Sequence, residues 1–226
     1  MPRILVFDVN ETLLDLGALE PHFERVFGDK AVLREWFNQV IQFAEALTLA
    51  GDYWDFADVA RAALEMTAAA NRTRISPEDA ARITGDMRCL PAHPEVPQAL
   101  SVLKNAGFRL ITLSNSPPGA LEAQIQNAGL RQYFEGNFSV ESVRRYKPAP
   151  GPYRMVADSL GVPTSQLRMI AAHAWDIGGA MRAGCAGAFV ARPGKALFPL
   201  FPAPDIVGRD LAEVADAILK LELPCA

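Results

Sequence analysis

The sequence predicts an α/β fold in which a doubly wound parallel sheet carries an inserted bundle of helices. Short apolar runs that end in polar residues alternate with amphipathic helical segments along most of the chain. One stretch near the N-terminus breaks this alternation because it contains helical patterns only. The chain has 226 residues, of which 50% are hydrophobic and 21% are charged. It is therefore long enough for one sizeable core with a smaller additional unit.

Five apolar runs are predicted to form the strands of the sheet. They cover residues 3–7, 109–113, 169–172, 188–191 and 205–207. Polar residues follow the first three runs: Asp8 the first, Ser114 and Asn115 the second, and His173 the third, with Asp176 a little further on. Because ligands of a doubly wound sheet bind beyond the carboxyl ends of its strands, these are candidate functional residues.

The helical segments of the core are marked by glycine at their ends. We expect helices over residues 94–106, 117–128, 151–160, 176–183 and 210–221. A glycine directly follows each of the first four, which is typical of a left-handed C-terminal cap. Strand and helix in alternation predict parallel strands that are covered on both faces.

The stretch from residue 15 to residue 90 is predicted to be one helix after another. An apolar stripe at helical spacing runs from Leu33 to Leu47, and a capping box at Ser76 starts a later helix. We expect residues 1–14 and 91–226 to form the core and residues 15–90 to form a helical cap. A cap over a site excludes water and contributes specificity.

Charge and cysteine content argue against several classes of protein. The net charge is −4 and the chain has no run of basic residues, which disfavours a nucleic-acid partner. No apolar stretch approaches the roughly 20 residues that span a bilayer, and the N-terminus does not resemble a signal peptide. The three cysteines, Cys89, Cys185 and Cys225, match neither a disulfide framework nor a metal site. We expect a cytoplasmic protein that binds neither nucleic acid nor membrane.

Residues 8–12, with the sequence DVNET, resemble the first motif of the haloacid dehalogenase (HAD) superfamily. An aspartate at a strand end is by itself common as a cap of the following turn. The resemblance implies instead that Asp8 is a nucleophile and that Thr12 positions its carboxylate. It further implies a HAD-like, Rossmann-like core with a helical-bundle cap.

Three later segments resemble the remaining motifs of this superfamily, in the same order. Ser114 with Asn115 is similar to the second motif, Lys147 before a proline to the third, and Asp176 to the fourth. These residue types suit covalent catalysis. A lysine keeps a carboxylate nucleophile ionised, and hydroxyl and amide groups orient an oxygen atom. Asp176 would in turn hold Lys147.

The residue two positions after Asp8 favours the 2-haloacid dehalogenase branch over the phosphatases. HAD phosphatases usually carry a second aspartate there, and Asn10 cannot donate a proton as an acid. The predicted site then contains few carboxylates that could bind Mg²⁺. Tyr153, six residues after Lys147, matches a tyrosine of the dehalogenase sites, and the resemblance implies that Asn10 and Tyr153 bind substrate. The resemblance implies displacement of halide from a small 2-haloalkanoic acid by Asp8. The aspartyl ester is then hydrolysed to a 2-hydroxy acid, without a metal or cofactor and in a homodimer.

Three residues depart from the dehalogenase pattern. In such enzymes a cap arginine binds the departing halide, and Phe37 stands at its position. Ala171 and His173 replace a serine and an asparagine of the fourth motif. His173 is interpreted either as a base that activates water or as a neutral hydrogen-bonding substitute for asparagine. We expect Phe37 and Trp175 to line a small apolar pocket.

Two alternatives stay open at this point. One is a Mg²⁺-dependent phosphatase that acts on a small phosphate ester. The other is a binding protein on a HAD scaffold whose catalysis has decayed, which the three departures motivate. Against it, a dead site has no physical need to keep Asp8, Thr12, Lys147 and Asp176 together.

Overall fold

A computed structural model describes residues 2–223 and contains one sheet of six parallel strands. Cys225 lies outside the described residues. The strands are β1 (Ile4–Phe7), β2 (Leu110–Ser114), β3 (Gly136–Ser139), β4 (Leu167–Ala171), β5 (Ala186–Val190) and β6 (Ile206–Gly208). Their order in the sheet is β3-β2-β1-β4-β5-β6.

Helices connect the strands and form the insert. They are α1 (Glu20–Phe27), α2 (Val32–Ala50), α3 (Phe56–Ala70), α4 (Pro77–Asp86), α5 (Val96–Asn105), α6 (Pro118–Asn127), α7 (Pro150–Leu160), α8 (Ala174–Arg182) and α9 (Leu211–Glu222). Short 3-10 turns lie at Leu16–Leu19, Met87–Cys89, Arg131–Tyr133, Val140–Val143 and Thr164–Gln166. Every residue of β1, β2 and β4 is buried, so the centre of the sheet is covered on both faces. The predicted doubly wound parallel sheet with inserted helices is confirmed.

One strand is missing from the sequence prediction. β3 has the sequence GNFS, and only its last residue is buried. It lies at the edge of the sheet, where a strand does not need the continuous apolar run of a central one. The apolar runs therefore predicted five strands where the structure has six.

The strand order reverses direction at β1, which lies between β2 and β4. In doubly wound sheets a crevice forms at such a switch point, outside the carboxyl ends of the strands. Asp8 follows β1, Asn115 follows β2 and His173 follows β4. The topology thus brings together residues that are far apart in the chain.

Residues 15–90 contain helices and turns and no strand. α2 packs on α3, and the indole Nε1 of Trp36 donates a hydrogen bond of 2.9 Å to the carbonyl of Ala60. α2 ends at Gly51, whose φ of 84° lies in the left-handed region that glycine favours. The side chain of Ser76 accepts from the amide of Asp79 and starts α4, as the capping box predicts.

The insert is also tied to the rest of the chain. Thr48 Oγ1, near the end of α2, accepts a hydrogen bond of 2.9 Å from the backbone amide of Tyr146. α2 therefore reaches across to the segment that carries Lys147. None of the helices within residues 2–223 is long and apolar enough to cross a membrane.

Candidate active site

Asp8 is the centre of a buried polar cluster beyond the end of β1. Its Oδ2 accepts a hydrogen bond of 2.6 Å from Thr12 Oγ1, and its Oδ1 accepts one of 3.0 Å from Lys147 Nζ. Thr12 Oγ1 also accepts from the amide of Ala172, 2.9 Å away, which joins this loop to the end of β4. Burial works to raise the pKa of Asp8, yet Lys147 and His173 hold it well below its usual range. Asp8 is therefore an ionised carboxylate.

Lys147 is fully buried and uses all three of its ammonium protons. It donates to Asp8 Oδ1, to the carbonyl of Leu113 at 2.9 Å and to Asp176 Oδ2 at 2.6 Å. Burial alone would lower the pKa of this lysine, but the two carboxylates outweigh burial and raise it. The side chain is a fixed cation between two anions.

Asp176 lies in the first turn of α8 and orients Lys147. Its Oδ1 accepts a hydrogen bond of 2.7 Å from the hydroxyl of Tyr153, which comes from α7. Burial, together with the charge of Asp8, raises the pKa of Asp176 despite its contact with Lys147. Burial and Asp176 also raise the pKa of Tyr153 well above its usual value, so the hydroxyl stays a donor. Both oxygens of Asp176 are thus occupied by donors.

Ser114 and Asn115 shape the turn after β2, and neither forms a hydrogen bond with Asp8 in the part of the chain that the structure describes. Asn115 Oδ1 accepts from the backbone amide of Lys147 at 3.1 Å, which fixes the segment that carries the lysine. Ser114 Oγ accepts from the amide of Ser116 at 3.1 Å. Among residues 2–223 no partner accepts from Asn115 Nδ2, so this amide remains available as a donor.

Asn10 forms its hydrogen bonds with the buried side chains of Gln124 and Ser116. Its Oδ1 accepts from Gln124 Nε2 at 2.8 Å, and its Nδ2 donates to Ser116 Oγ at 3.4 Å. It has no hydrogen bond to Asp8 within the described part of the chain. The structure therefore places Asn10 beside the cluster as part of the loop framework.

His173 lies between two carboxylates. Its Nδ1 is 3.2 Å from Asp8 Oδ2, and its Nε2 is 2.8 Å from Glu11 Oε2. Burial would lower the pKa of His173, but its hydrogen bonds to Asp8 and Glu11, and their charges, raise it to about 9. At neutral pH the ring is therefore an imidazolium that donates to both carboxylates. In this state both ring nitrogens are donors, and the ring has no lone pair with which to accept a proton.

Glu11 and Lys195 also belong to the cluster, and neither is among the site residues predicted from the sequence. Glu11 Oε2 is 2.7 Å from Lys195 Nζ, which comes from the connection between β5 and β6. The sequence signal that could have pointed to Glu11 was its place in the DVNET segment. No sequence signal marks Lys195, because the irregular connection that carries it has no periodic pattern.

Phe37 of α2 and Trp175 of α8 both lie close to the His173 ring. Trp175 stacks on it, with ring centroids 4.9 Å apart, and Phe37 lies at 6.5 Å. The Trp175 ring centroid is also 5.9 Å from Lys147 Nζ. Arg34, one helical turn before Phe37, packs instead against Gly194. The insert thus presents an aromatic ring, and no arginine, to His173.

One cavity lies beside this cluster and is not lined by Asp8. It has a volume of about 660 Å³ and lies between α3, α4 and the start of α6, with Ser116 and Gln124 in its wall. Within residues 2–223 no group of three or more histidine, cysteine, aspartate or glutamate side chains could hold a metal ion.

The sequence is similar to known dehalogenases along most of its length. Residues 2–184 match the family described as haloacid dehalogenase-like hydrolase. The chain is 28% identical over 219 residues to the haloacetate dehalogenase H-2 of Moraxella sp. (strain B), covering 96% of each chain. It is 30% identical over 196 residues to an (S)-2-haloacid dehalogenase of Xanthobacter autotrophicus, covering 85% of this chain and 76% of that one.

The fold is similar to solved structures of the same kind. One is an L-2-haloacid dehalogenase from Xanthobacter autotrophicus with chloropropionic acid covalently bound. Its TM-score is 0.90 at 26% identity, and the match covers 98% of this chain and all of that one. Another L-2-haloacid dehalogenase matches with a TM-score of 0.92 at 30% identity, covering 96% and 98%.

Proposed function

This chain belongs to the family of haloacid dehalogenase-like hydrolases, and on that premise we propose that it is a 2-haloacid dehalogenase. Its substrate would be a small 2-haloalkanoic acid, and Asp8 would carry the covalent intermediate. The observation that carries this proposal is the state of Asp8: a buried, ionised carboxylate fixed by Thr12, Lys147 and His173 at the switch point of the sheet. The similarity to relatives named for this activity supports it.

In the first step the carboxylate of Asp8 attacks C2 of the substrate. A bond forms between an Asp8 oxygen and C2, and the halide leaves with the electron pair of the carbon–halogen bond. A carboxylate is a weak nucleophile in water, but it reacts when it is desolvated and held in line. Lys147 keeps it ionised, and the amide of Asn115 is a donor available to the substrate.

In the second step water attacks the carboxyl carbon of Asp8. The bond between this carbon and the ester oxygen breaks, which releases the 2-hydroxy acid and regenerates the carboxylate with one oxygen from water. In the first step the Asp8 carboxylate attacks C2 from the side opposite the halide. We therefore expect inverted configuration in the product. Trp175 and Phe37 would line a small apolar pocket for the substrate, and the helices of residues 15–90 would act as a cap that excludes bulk water.

A halide-release assay tests the proposed function. Purified protein is incubated with chloroacetate, bromoacetate, fluoroacetate and both enantiomers of 2-chloropropionate, with and without EDTA. We expect halide release that EDTA leaves unchanged and that Asp8→Asn abolishes. Hydrolysis of p-nitrophenyl phosphate that requires Mg²⁺, without halide release, would favour the phosphatase. If the protein shows neither halide release nor phosphate hydrolysis, the result would favour the binding protein.

A single turnover in ¹⁸O-labelled water then tests the ester. We expect the label in the peptide that contains Asp8, because water attacks the carboxyl carbon of the enzyme. Label only in the hydroxyl group of the product would show direct attack of water on C2 and would overturn the covalent mechanism.

A further inference from the structure

We propose that Glu11 is a positioning residue that makes His173 the base of the second step, and that ester formation at Asp8 is the event that frees this base. The inference rests on the proposed function, because it assigns the residue that activates water in the same reaction. It concerns a side chain to which the family resemblance described above assigns no role. Three features of the structure carry it: the chain of contacts through His173, the backbone at Glu11 and the position of Asp176.

The first feature is a line of hydrogen bonds from the nucleophile to Lys195. Asp8 Oδ2, His173 Nδ1, His173 Nε2 and Glu11 Oε2 follow one another at 3.2 and 2.8 Å, and Lys195 Nζ closes the line at 2.7 Å. The His173 side chain is 7% exposed and that of Glu11 is 20% exposed. A carboxylate bonded to one ring nitrogen fixes which nitrogen of an imidazole keeps its proton. Here Glu11 holds the proton on Nε2 and leaves Nδ1 facing Asp8.

The second feature is the backbone of Glu11. Its φ is 61°, in the left-handed region, and it is one of three non-glycine residues with positive φ in the part of the chain that the structure describes. A glycine would adopt this conformation without steric cost, whereas a residue with a Cβ is disfavoured there. The backbone conformation therefore gives no reason for a glutamate at this position. The contacts of its carboxylate with His173 and Lys195 do give one, because both belong to the cluster around Asp8.

The third feature is the position of the other acid of the cluster. Asp176 accepts from Lys147 through Oδ2 and from Tyr153 through Oδ1. The ammonium of Lys147 lies between Asp176 and Asp8, so Asp176 has no direct contact with the carboxyl group that water attacks. Nδ1 of His173, in contrast, already lies 3.2 Å from a carboxylate oxygen of Asp8, within reach of a water that attacks the adjoining carbon.

The resting charges keep this base inactive. The ionisable groups around His173 are Asp8 and Glu11 from the loop after β1, Glu45 from α2, Lys147 beside Asp8 and Lys195 beside Glu11. Its two hydrogen-bonded neighbours are both anions, so the ring stays protonated. A protonated ring cannot take a proton from water, and it steadies the Asp8 carboxylate until substrate arrives.

Ester formation changes one of these charges. When Asp8 is alkylated it becomes neutral, and Nδ1 loses its anionic acceptor. The Nδ1 proton then leaves to solvent, while Glu11 retains the proton on Nε2. This is the one proton that conversion of a haloacid and water into a hydroxy acid and halide must release.

The second step returns His173 to its first state. The neutral Nδ1 takes one proton of the attacking water, and the water oxygen bonds to the carboxyl carbon of Asp8. The ester bond breaks, and the departing oxygen takes the second proton of that water. The products are the hydroxy acid, an ionised Asp8 and a protonated His173, so atoms and charge balance. The base is thus present only while the ester exists.

Rapid-quench measurements separate the two steps. The protein is mixed with an excess of (S)-2-chloropropionate, halide is assayed, and the ester is followed by intact-protein mass spectrometry. For Glu11→Gly and Glu11→Gln we expect one equivalent of halide at close to the normal rate. Hydrolysis should be slower by about 10²-fold, the usual contribution of a general base, so that the ester accumulates. Glu11→Gly suits the left-handed backbone and guards against a loss of folding.

Glu95→Gln is the matched control. Glu95 forms an ion pair of 2.7 Å with Arg192, whose guanidinium donates to the carbonyl of Thr12. It therefore supports the same loop without touching His173. We expect no accumulation of ester in this variant. Equal slowing of both steps in the two Glu11 variants, or the same accumulation in Glu95→Gln, would indicate a structural role and overturn the inference.

The pH dependence of ester hydrolysis distinguishes the proposed role of Glu11 from a purely structural one, because a purely structural role would not shift it. In the unaltered protein this rate should rise with pH as His173 loses its proton. Removal of the Glu11 charge makes the proton easier to lose, so in Glu11→Gln the rise should move to lower pH while its plateau falls. An unchanged midpoint together with normal turnover would overturn the role of Glu11 and leave the proposed function intact. Absence of both halide and ester in the unaltered protein would overturn both.

Discussion

At the scale of single residues, Lys147 is the group on which the other charges depend. It is the buried cation that lies between Asp8 and Asp176. Lys147→Met would leave two buried carboxylates facing each other, so one of them should take up a proton. We expect no ester formation and a loss of about 3–5 kcal/mol in the free energy of unfolding. Urea denaturation and the halide assay check this, and a variant that still forms ester at the normal rate would contradict it.

The aromatic contact between Phe37 and His173 leads to a second prediction for single residues. Phe37 stands where the dehalogenase pattern has arginine, and the two rings lie in contact. Phe37→Arg would bring a second cation against the imidazolium, whereas Phe37→Arg with His173→Asn would not. We expect the single arginine variant to lose stability and the double variant to recover about 1–2 kcal/mol of the loss. A double-mutant cycle in urea measures the coupling, and strictly additive effects would contradict it.

The sequence could predict the part of the site that stands next to regular structure. Asp8 and Asp176 come shortly after apolar runs, and together with Lys147 they match motifs that can be recognised in the sequence in their expected order. Glu11 was harder to recognise because its role depends on a left-handed turn that aims its side chain at a residue from another strand end. The charge of His173 likewise follows from two neighbours that only the fold brings together.

At the scale of elements, the connection between β5 and β6 supports the nucleophile loop. Arg192 begins this connection and is almost fully buried, and its Nε and Nη2 donate to the carbonyl of Thr12 at 3.2 and 2.7 Å. Arg192→Met would leave this carbonyl without its donors. We expect a loss of about 1–3 kcal/mol in stability and slower ester formation. Thermal denaturation and the rapid-quench assay measure the two effects, and unchanged ester formation would argue against a supporting role.

Regular elements were predictable to the extent that their apolar pattern was continuous. The central strands β1, β2 and β4 are buried at every position, and their runs stood out in the sequence. β3 was missed because an edge strand has fewer apolar positions. The irregular connection that carries Arg192 and Lys195 has no period, so the sequence does not indicate where its two cations point.

At the scale of the whole molecule, the raised pKa of His173 links stability to pH. The pKa is about 9 in the folded chain against 6.5 for an ordinary histidine. The stabilisation from its proton is therefore complete below about pH 6.5 and is lost as pH rises to about 9, and amounts to about 3 kcal/mol. We expect the stability difference between the unaltered protein and His173→Asn to shrink over this range. Urea titrations at several pH values measure it, and a difference that grows with pH would contradict the assignment.

The reacting cluster is assembled from distant parts of the chain. Lys147 is 139 residues from Asp8, and the amide that Thr12 accepts from is 160 residues away. An unfolded or partly synthesised chain therefore has an aspartate with no lysine beside it and no desolvation to make it reactive. Stoichiometric alkylation of Asp8 should consequently count correctly folded molecules in a preparation, because a misfolded chain would not be labelled.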